Sequence, residues 1–137
     1  MKKIYSLKFP DKLLHIVNRN EDFDGRTDLV PNDQYLQMAA IRFPKNKKLR
    51  SHYHLWKNVE YEKYVAQESW IVIEGRVKVY YYDIDNELIC SEIISRGDCT
   101  ITLEGGHGYE ILDDNTIIYE CKTGPYYGQL IDKTFIE

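Results

Sequence analysis

Four side chains of this sequence stand where their types and spacing can do chemistry: His52, His54, Glu68 and His107. Residues two apart on an extended strand project from one face. The run His52-Tyr53-His54 would therefore aim two imidazoles one way and Tyr53 the other, as in a bidentate metal clip. Glu68 opens the stretch Glu-Ser-Trp-Ile-Val-Ile-Glu-Gly and shares its parity with Trp70 and Val72. If that face is inward, a carboxylate enters an apolar interior, which is costly unless it is paired, hydrogen-bonded or metal-bound. His107 sits in Gly-Gly-His-Gly, where bare neighbours let the backbone turn sharply and leave the ring room to reach a site. Tyr109 follows at two residues and is a candidate acid or base, although a phenol titrating near pH ~10 must be shifted far down to act as a base at neutrality. Trp70, inward beside Glu68, offers either a face for a sugar ring or a core aromatic.

These groups need strands to position them, and the sequence supplies strands. Twelve tyrosines, frequent Ile and Val, and few segments of helical period point to an almost all-β chain. Strands are expected over 35–43, 70–74 and 76–82, the last two broken by a bend at Gly75. The turn formers Asp83-Ile84-Asp85-Asn86 should join 76–82 to 87–94 in a hairpin. Further strands are expected over 99–103, 109–112 and 116–122, the last two as a second hairpin around Asp113-Asp114-Asn115. Two N-terminal strands lie within 3–17, and 18–28 reads as a loop. Turn signals at this spacing imply a sandwich, barrel or jelly roll.

The bulk properties restrict function. A chain of 137 residues and 16.3 kDa is one domain, with 43% hydrophobic residues to build its core. Eighteen basic residues against twenty-two acidic give a net charge of −4, so no global positive field recruits nucleic acid or anionic lipid. No apolar run has the length of a membrane span or of a signal peptide. The three cysteines, Cys90, Cys99 and Cys121, are odd in number and match no CxxC pattern; they fit buried reduced thiols in the cytoplasm. Lys45, Lys47, Lys48 and Arg50 form a basic cluster, a solvated turn or a patch that attracts an anionic ligand. His15, in Leu-Leu-His-Ile-Val, reads as a satisfied strand residue.

The site residues, taken in order, resemble the two motifs of the cupin superfamily, G(x)5HxH(x)3–4E(x)6G and G(x)5PxG(x)2H(x)3N. His52, His54, Glu68 and Gly75 fill the HxH, Glu and final Gly positions, and Asn46 stands at the first glycine, tolerable because Asn enters positive φ readily. Gly97, Gly105 and His107 follow the second motif, with Leu103 in place of the proline, His107 one residue early and Ile111 where an asparagine is expected. Residues 55–67 replace the short spacer between HxH and Glu, so a loop carrying Trp56, Tyr61 and Tyr64 is inserted. The likeness spans 46–111, within a core of about 35–122. A longer likeness, through Gln67-Glu68-Ser69-Trp70, Gly105-Gly106-His107-Gly108 and Lys122-Thr123-Gly124-Pro125-Tyr126, is to small cupins that accompany bacterial surface-polysaccharide synthesis.

The resemblance implies a small jelly-roll barrel of two antiparallel sheets, a homodimer with the N-terminal strands at its interface, and a metal in the barrel mouth held by His52, His54, Glu68 and His107. Three imidazoles and a carboxylate suit Fe, Mn, Ni, Co or Zn better than Ca or Mg. Such an ion would polarise a carbonyl of a small oxygen-rich ligand, a sugar or nucleotide-sugar, for isomerase, epimerase or oxygenase chemistry. Two alternatives stand beside it. One is a non-catalytic ligand-binding or partner module; the other is a metal-independent sugar ketoisomerase or epimerase in which a His and a Tyr move the proton.

Overall fold

A computed structural model describes residues 1–21, 23, 25–54, 64–124, 128 and 133–136, and within them the chain is all β. Ten strands follow in order: β1 (Lys2–Tyr5), β2 (Leu13–Asn18), β3 (Gly25–Asp28), β4 (Ala39–Arg42), β5 (Glu68–Glu74), β6 (Arg76–Tyr82), β7 (Leu88–Ser95), β8 (Cys99–Thr102), β9 (Gly106–Ile111) and β10 (Ile117–Lys122). All pairings are antiparallel. One sheet has the order β1-β2-β8-β5-β10, a second the order β7-β6-β9, and β3 and β4 form a separate ribbon. Among the described residues none of the sheets closes into a barrel.

The five- and three-stranded sheets face each other across a core of Ile4, Val17 and Val72 from the first and Val77, Val79, Tyr81 and Ile94 from the second. The five-stranded sheet is covered on its other face too. There Ile16, Cys99 and Ile101, with Leu103 just past β8, pack under Leu29, Val30, Leu36 and Met38. This accounts for β2 and β8, in which nearly every residue is buried: a strand apolar on both faces reads as a continuous run rather than an alternation. On β8 the two faces differ in chemistry, with Cys99 and Ile101 outward and the hydroxyls of Thr100 and Thr102 toward the opposing sheet.

The chain changes sheet four times between β5 and β10, and the turn chemistry marks each crossing. Gly75 ends β5 and starts β6 at φ +79°, and a Cβ there would overlap Thr116 Oγ1. A left-handed, crowded position of this kind suits glycine alone. Asn46, at the first motif glycine, has φ +68°. Asp83 binds the N-terminus to the end of β6: its carboxylate accepts from Ser6 Oγ (2.8 Å), Leu7 N (2.6 Å) and Ile84 N (2.7 Å).

Several expected elements take a different form. The hairpin of β6 and β7 is present, whereas β9 pairs with β6 and β10 with β5. Asp113-Asp114-Asn115 therefore carries the chain between sheets and makes no hairpin; Arg76 holds it through two bonds to Asp113 (2.7 and 2.9 Å). Only Ala39–Arg42 of 35–43 is strand, because Leu36 and Met38 are drawn into the outer core from a turn. Part of the expected loop 18–28 is β3. The basic cluster is exposed, beginning in the turn at Lys45 and Asn46. Among the cysteines Cys99 is buried, Cys90 half-buried and Cys121 exposed on β10, so the expectation of a core thiol fails at Cys121: β10 is an edge strand with an uncovered face.

Candidate functional site

Antiparallel register places the polar inward side chains in rows. Glu68 on β5 lies opposite Thr102 of β8 and Lys122 of β10; one row on, Trp70 lies opposite Thr100 and Glu120. In the facing sheet His107 and Tyr109 of β9 pair with Tyr81 and Val79 of β6. The two sheets meet through these rows. His107 Nε2 is 3.2 Å from Glu68 Oε1. Trp70 and Tyr109 stack with ring centroids 3.6 Å apart at 8°, and the Tyr81 and Thr100 hydroxyls bond at 2.8 Å. Glu68 is 7% exposed, so the parity argument that turns it inward with Val72 holds.

Burial alone would raise the Glu68 pKa. The hydrogen bond and charge of His107, with the charges of Lys133 and Lys122, outweigh burial and hold the carboxyl below the ordinary carboxylate range. Glu68 is therefore a carboxylate at neutral pH and accepts from His107 Nε2–H. The other ring nitrogen of His107, Nδ1, is buried and has no hydrogen-bond partner among the described residues. The Tyr109 hydroxyl is likewise buried without a well-formed hydrogen bond. Burial first, and then the negative charge of Glu68, push its pKa above the ordinary phenol value. A hydroxyl so shifted stays protonated and can donate. The His107 and Tyr109 rings are 5.3 Å apart. One face of Trp70 is already taken by Tyr109, and its Nε1 donates to Glu120 (3.2 Å), so that face is closed to a sugar ring.

His52 and His54 stay together but elsewhere. Their rings meet edge-on at 5.3 Å on an exposed segment that is not a strand. Pro44, which has no N–H to give a ladder, and left-handed Asn46 precede it. Among the described residues no three His, Cys, Asp or Glu side chains lie close enough to hold a metal ion. The donor types suit a transition metal, but as folded here the four expected ligands form two pairs and not one centre. Residues 55–63 of the inserted loop, including Trp56 and Tyr61, lie outside the described residues, as do Pro125 and Tyr126.

His15 is the satisfied strand residue expected of it. Its Nε2–H donates to the Tyr82 carbonyl and its Nδ1 accepts from Thr102 Oγ1, both at 3.1 Å, next to the Tyr81 ring at 5.0 Å. Sequence reasoning passed over Thr100, Thr102 and Tyr81, which line the same interior. The available signal was the pair of hydroxyls alternating with Cys99, Ile101 and Leu103 in an otherwise apolar strand. Comparison with family models, curated proteins and solved structures finds no match for this chain.

Proposed function

We propose that the interior between the two sheets binds a small carbonyl compound of the sugar or nucleotide-sugar class and isomerises or epimerises it by proton transfer next to the carbonyl, without a metal. One observation carries this: the Glu68–His107 hydrogen bond leaves His107 Nδ1 buried with no partner among the described residues, beside a Tyr109 hydroxyl whose pKa is pushed up. His107 Nδ1 takes the proton from the carbon α to the carbonyl. Glu68 fixes the tautomer and stabilises the imidazolium that forms. Tyr109 donates to the enolate oxygen as its charge develops. For isomerisation His107 returns the proton to the former carbonyl carbon while the α-hydroxyl proton passes to Tyr109, replacing the one it gave the carbonyl oxygen; for epimerisation water protonates the opposite face and His107 releases its proton to solvent. Trp70, stacked on Tyr109, holds the phenol in place. The same proposal takes the chain as a small cupin-type jelly roll, a homodimer serving surface-polysaccharide synthesis.

Deuterium wash-in from D2O into a panel of keto-sugar nucleotides, followed by NMR with a chelator present, tests it. The native chain should exchange the α proton. His107→Gln should lose that exchange, Glu68→Gln should slow it roughly 10²–10⁴-fold, and Tyr109→Phe on the order of 10²-fold. Exchange that survives His107→Gln, or none across the panel, refutes the proposal.

A specific observation favours a metal-dependent second reading. His52 donates Nδ1–H to the Arg50 carbonyl (3.0 Å), the outer bond that prepares Nε2 for a metal. The ligands would be His52, His54, Glu68 and His107. Exchange abolished by chelation and restored by Mn, Fe, Co, Ni or Zn, with bound metal lost in His52→Ala and Glu68→Ala alike, would establish it over the first.

A further inference from the structure

We infer that the outer edge of β10 pairs with a second copy of this chain: the two β10 strands run antiparallel, with Cys121 opposite Cys121 and Glu120 of each copy opposite Lys122 of the other. This rests on the homodimer proposed above and names its interface; it is independent of the acid–base chemistry.

Among the described residues β1 and β10 are the outer strands of the five-stranded sheet. Each presents a row of backbone N–H and C=O groups that no strand of that sheet pairs, and such a row is a template for another chain. The two edges differ in how they are guarded. Lys2 and Lys3 open β1, and Lys2 is held by Glu92 (2.6 Å); lysines along an edge oppose pairing. On β10 the outward row of Ile117, Tyr119 and Cys121 carries no charge and is exposed, Tyr119 at 62% and Ile117 at 50%. The inward row sets the register. Ile118 packs on the inner core, so Glu120 and Lys122 share its face. Opposed residues of an antiparallel pair also share a face, and the two-fold registers that overlap most of β10 are centred on Tyr119, Glu120 or Cys121. Centred on Glu120, carboxylate meets carboxylate. Centred on Tyr119, Glu120 meets Ile118 and no countercharge. Centred on Cys121, Glu120 meets Lys122, and the symmetry makes that pair twice. Charge complementarity therefore selects this register. Trp70 Nε1 donates to one oxygen of Glu120 (3.2 Å), which holds the carboxylate in place on the strand, and a carboxylate has acceptor sites to spare for a lysine.

Sedimentation velocity of the full chain over a range of concentrations, with bismaleimidoethane cross-linking and peptide mapping, tests this. The native chain should be a dimer that cross-links Cys121 to Cys121. Glu120→Lys and Lys122→Glu each set like charges opposite one another at both symmetric positions and should weaken the dimer on the order of ten-fold. Combining them restores opposite charges and should recover the native association, a rescue that mere damage to the fold would not give. If either single variant fails to fold, the Cys121 cross-link of the native chain, absent in Cys121→Ser, decides. A monomer at every concentration overturns the inference and removes the homodimer with it. A dimer indifferent to both charge reversals, or one that does not link through Cys121, overturns the inference and leaves the homodimer with another interface. None of these outcomes bears on the deuterium exchange that tests the acid–base chemistry.

Discussion

His15 and Glu68 show two ways in which an ionisable group is kept between the sheets. Glu68 keeps its charge because His107 and two lysines answer it. His15 gives up its charge: burial is the largest cause, and its pKa falls from 6.5 to about 4. A proton on Nδ1 would break the bond from Thr102. The sign follows. Above pH 6.5 His15 is neutral in both folded and unfolded chains, and its effect on stability is constant; between 6.5 and about 4 the unfolded chain binds a proton that the fold refuses. Stability should fall by about 3 kcal/mol as the pH drops through that window. Urea midpoints measured at steps from pH 7.5 to 4 should show the decline, and His15→Gln should flatten it; a native curve already flat there would contradict it. The inward turn of Glu68 and the quiet role of His15 were legible from strand parity. The threonines were not, since a hydroxyl in a strand is as common outside as inside, and neither was the upward shift at Tyr109, which needs the position of Glu68 in space.

At the scale of elements, each strand from β5 to β10 was placed by alternation and turn residues to within a few positions, but its partner was not. Asp113-Asp114-Asn115 looks like a hairpin loop in sequence because a sheet crossing uses the same turn formers. The missing HxH strand has a plainer cause: three lysines and an arginine beside Pro44 and left-handed Asn46 favour solvent over a ladder. Asp83 is a concentrated inter-element tie, a buried carboxylate that collects donors from residues 6, 7, 8 and 84. Asp83→Ala strands those donors and should cost about 3 kcal/mol, with amide exchange at Leu7 and Ile84 quickening before that of β6. Asp83→Asn, which keeps an acceptor, should lose less. Equal loss in the two variants would mean that the carboxylate charge sets the tie.

For the whole molecule, the decisive fact is that the five-stranded sheet has a core on each side. Ile94 fills the inner one and Ile101 the outer, both fully buried. Each truncation to alanine should cost about 2–5 kcal/mol. The double variant should give their sum within about 0.5 kcal/mol, because a sheet lies between the two cavities. Urea unfolding of the four chains measures this, and a larger coupling would show that the sheet carries strain from one side to the other. The all-β class and the inward site were readable because period and parity are local. How the sheets pair and close was not, since that depends on how strands far apart in the chain meet.

The Glu68–His107 bond has one end on each layer of that sandwich, so it works as a caliper. Whenever thermal breathing or a bulky guest spreads the layers by an ångström or so, Nε2–H loses its anchor and the imidazole is free to swap tautomers. In the proposed reaction, readiness for proton abstraction would be tied to how tightly the two halves of the molecule are clasped, and the ring-nitrogen shifts of His107 would read out that clasp directly.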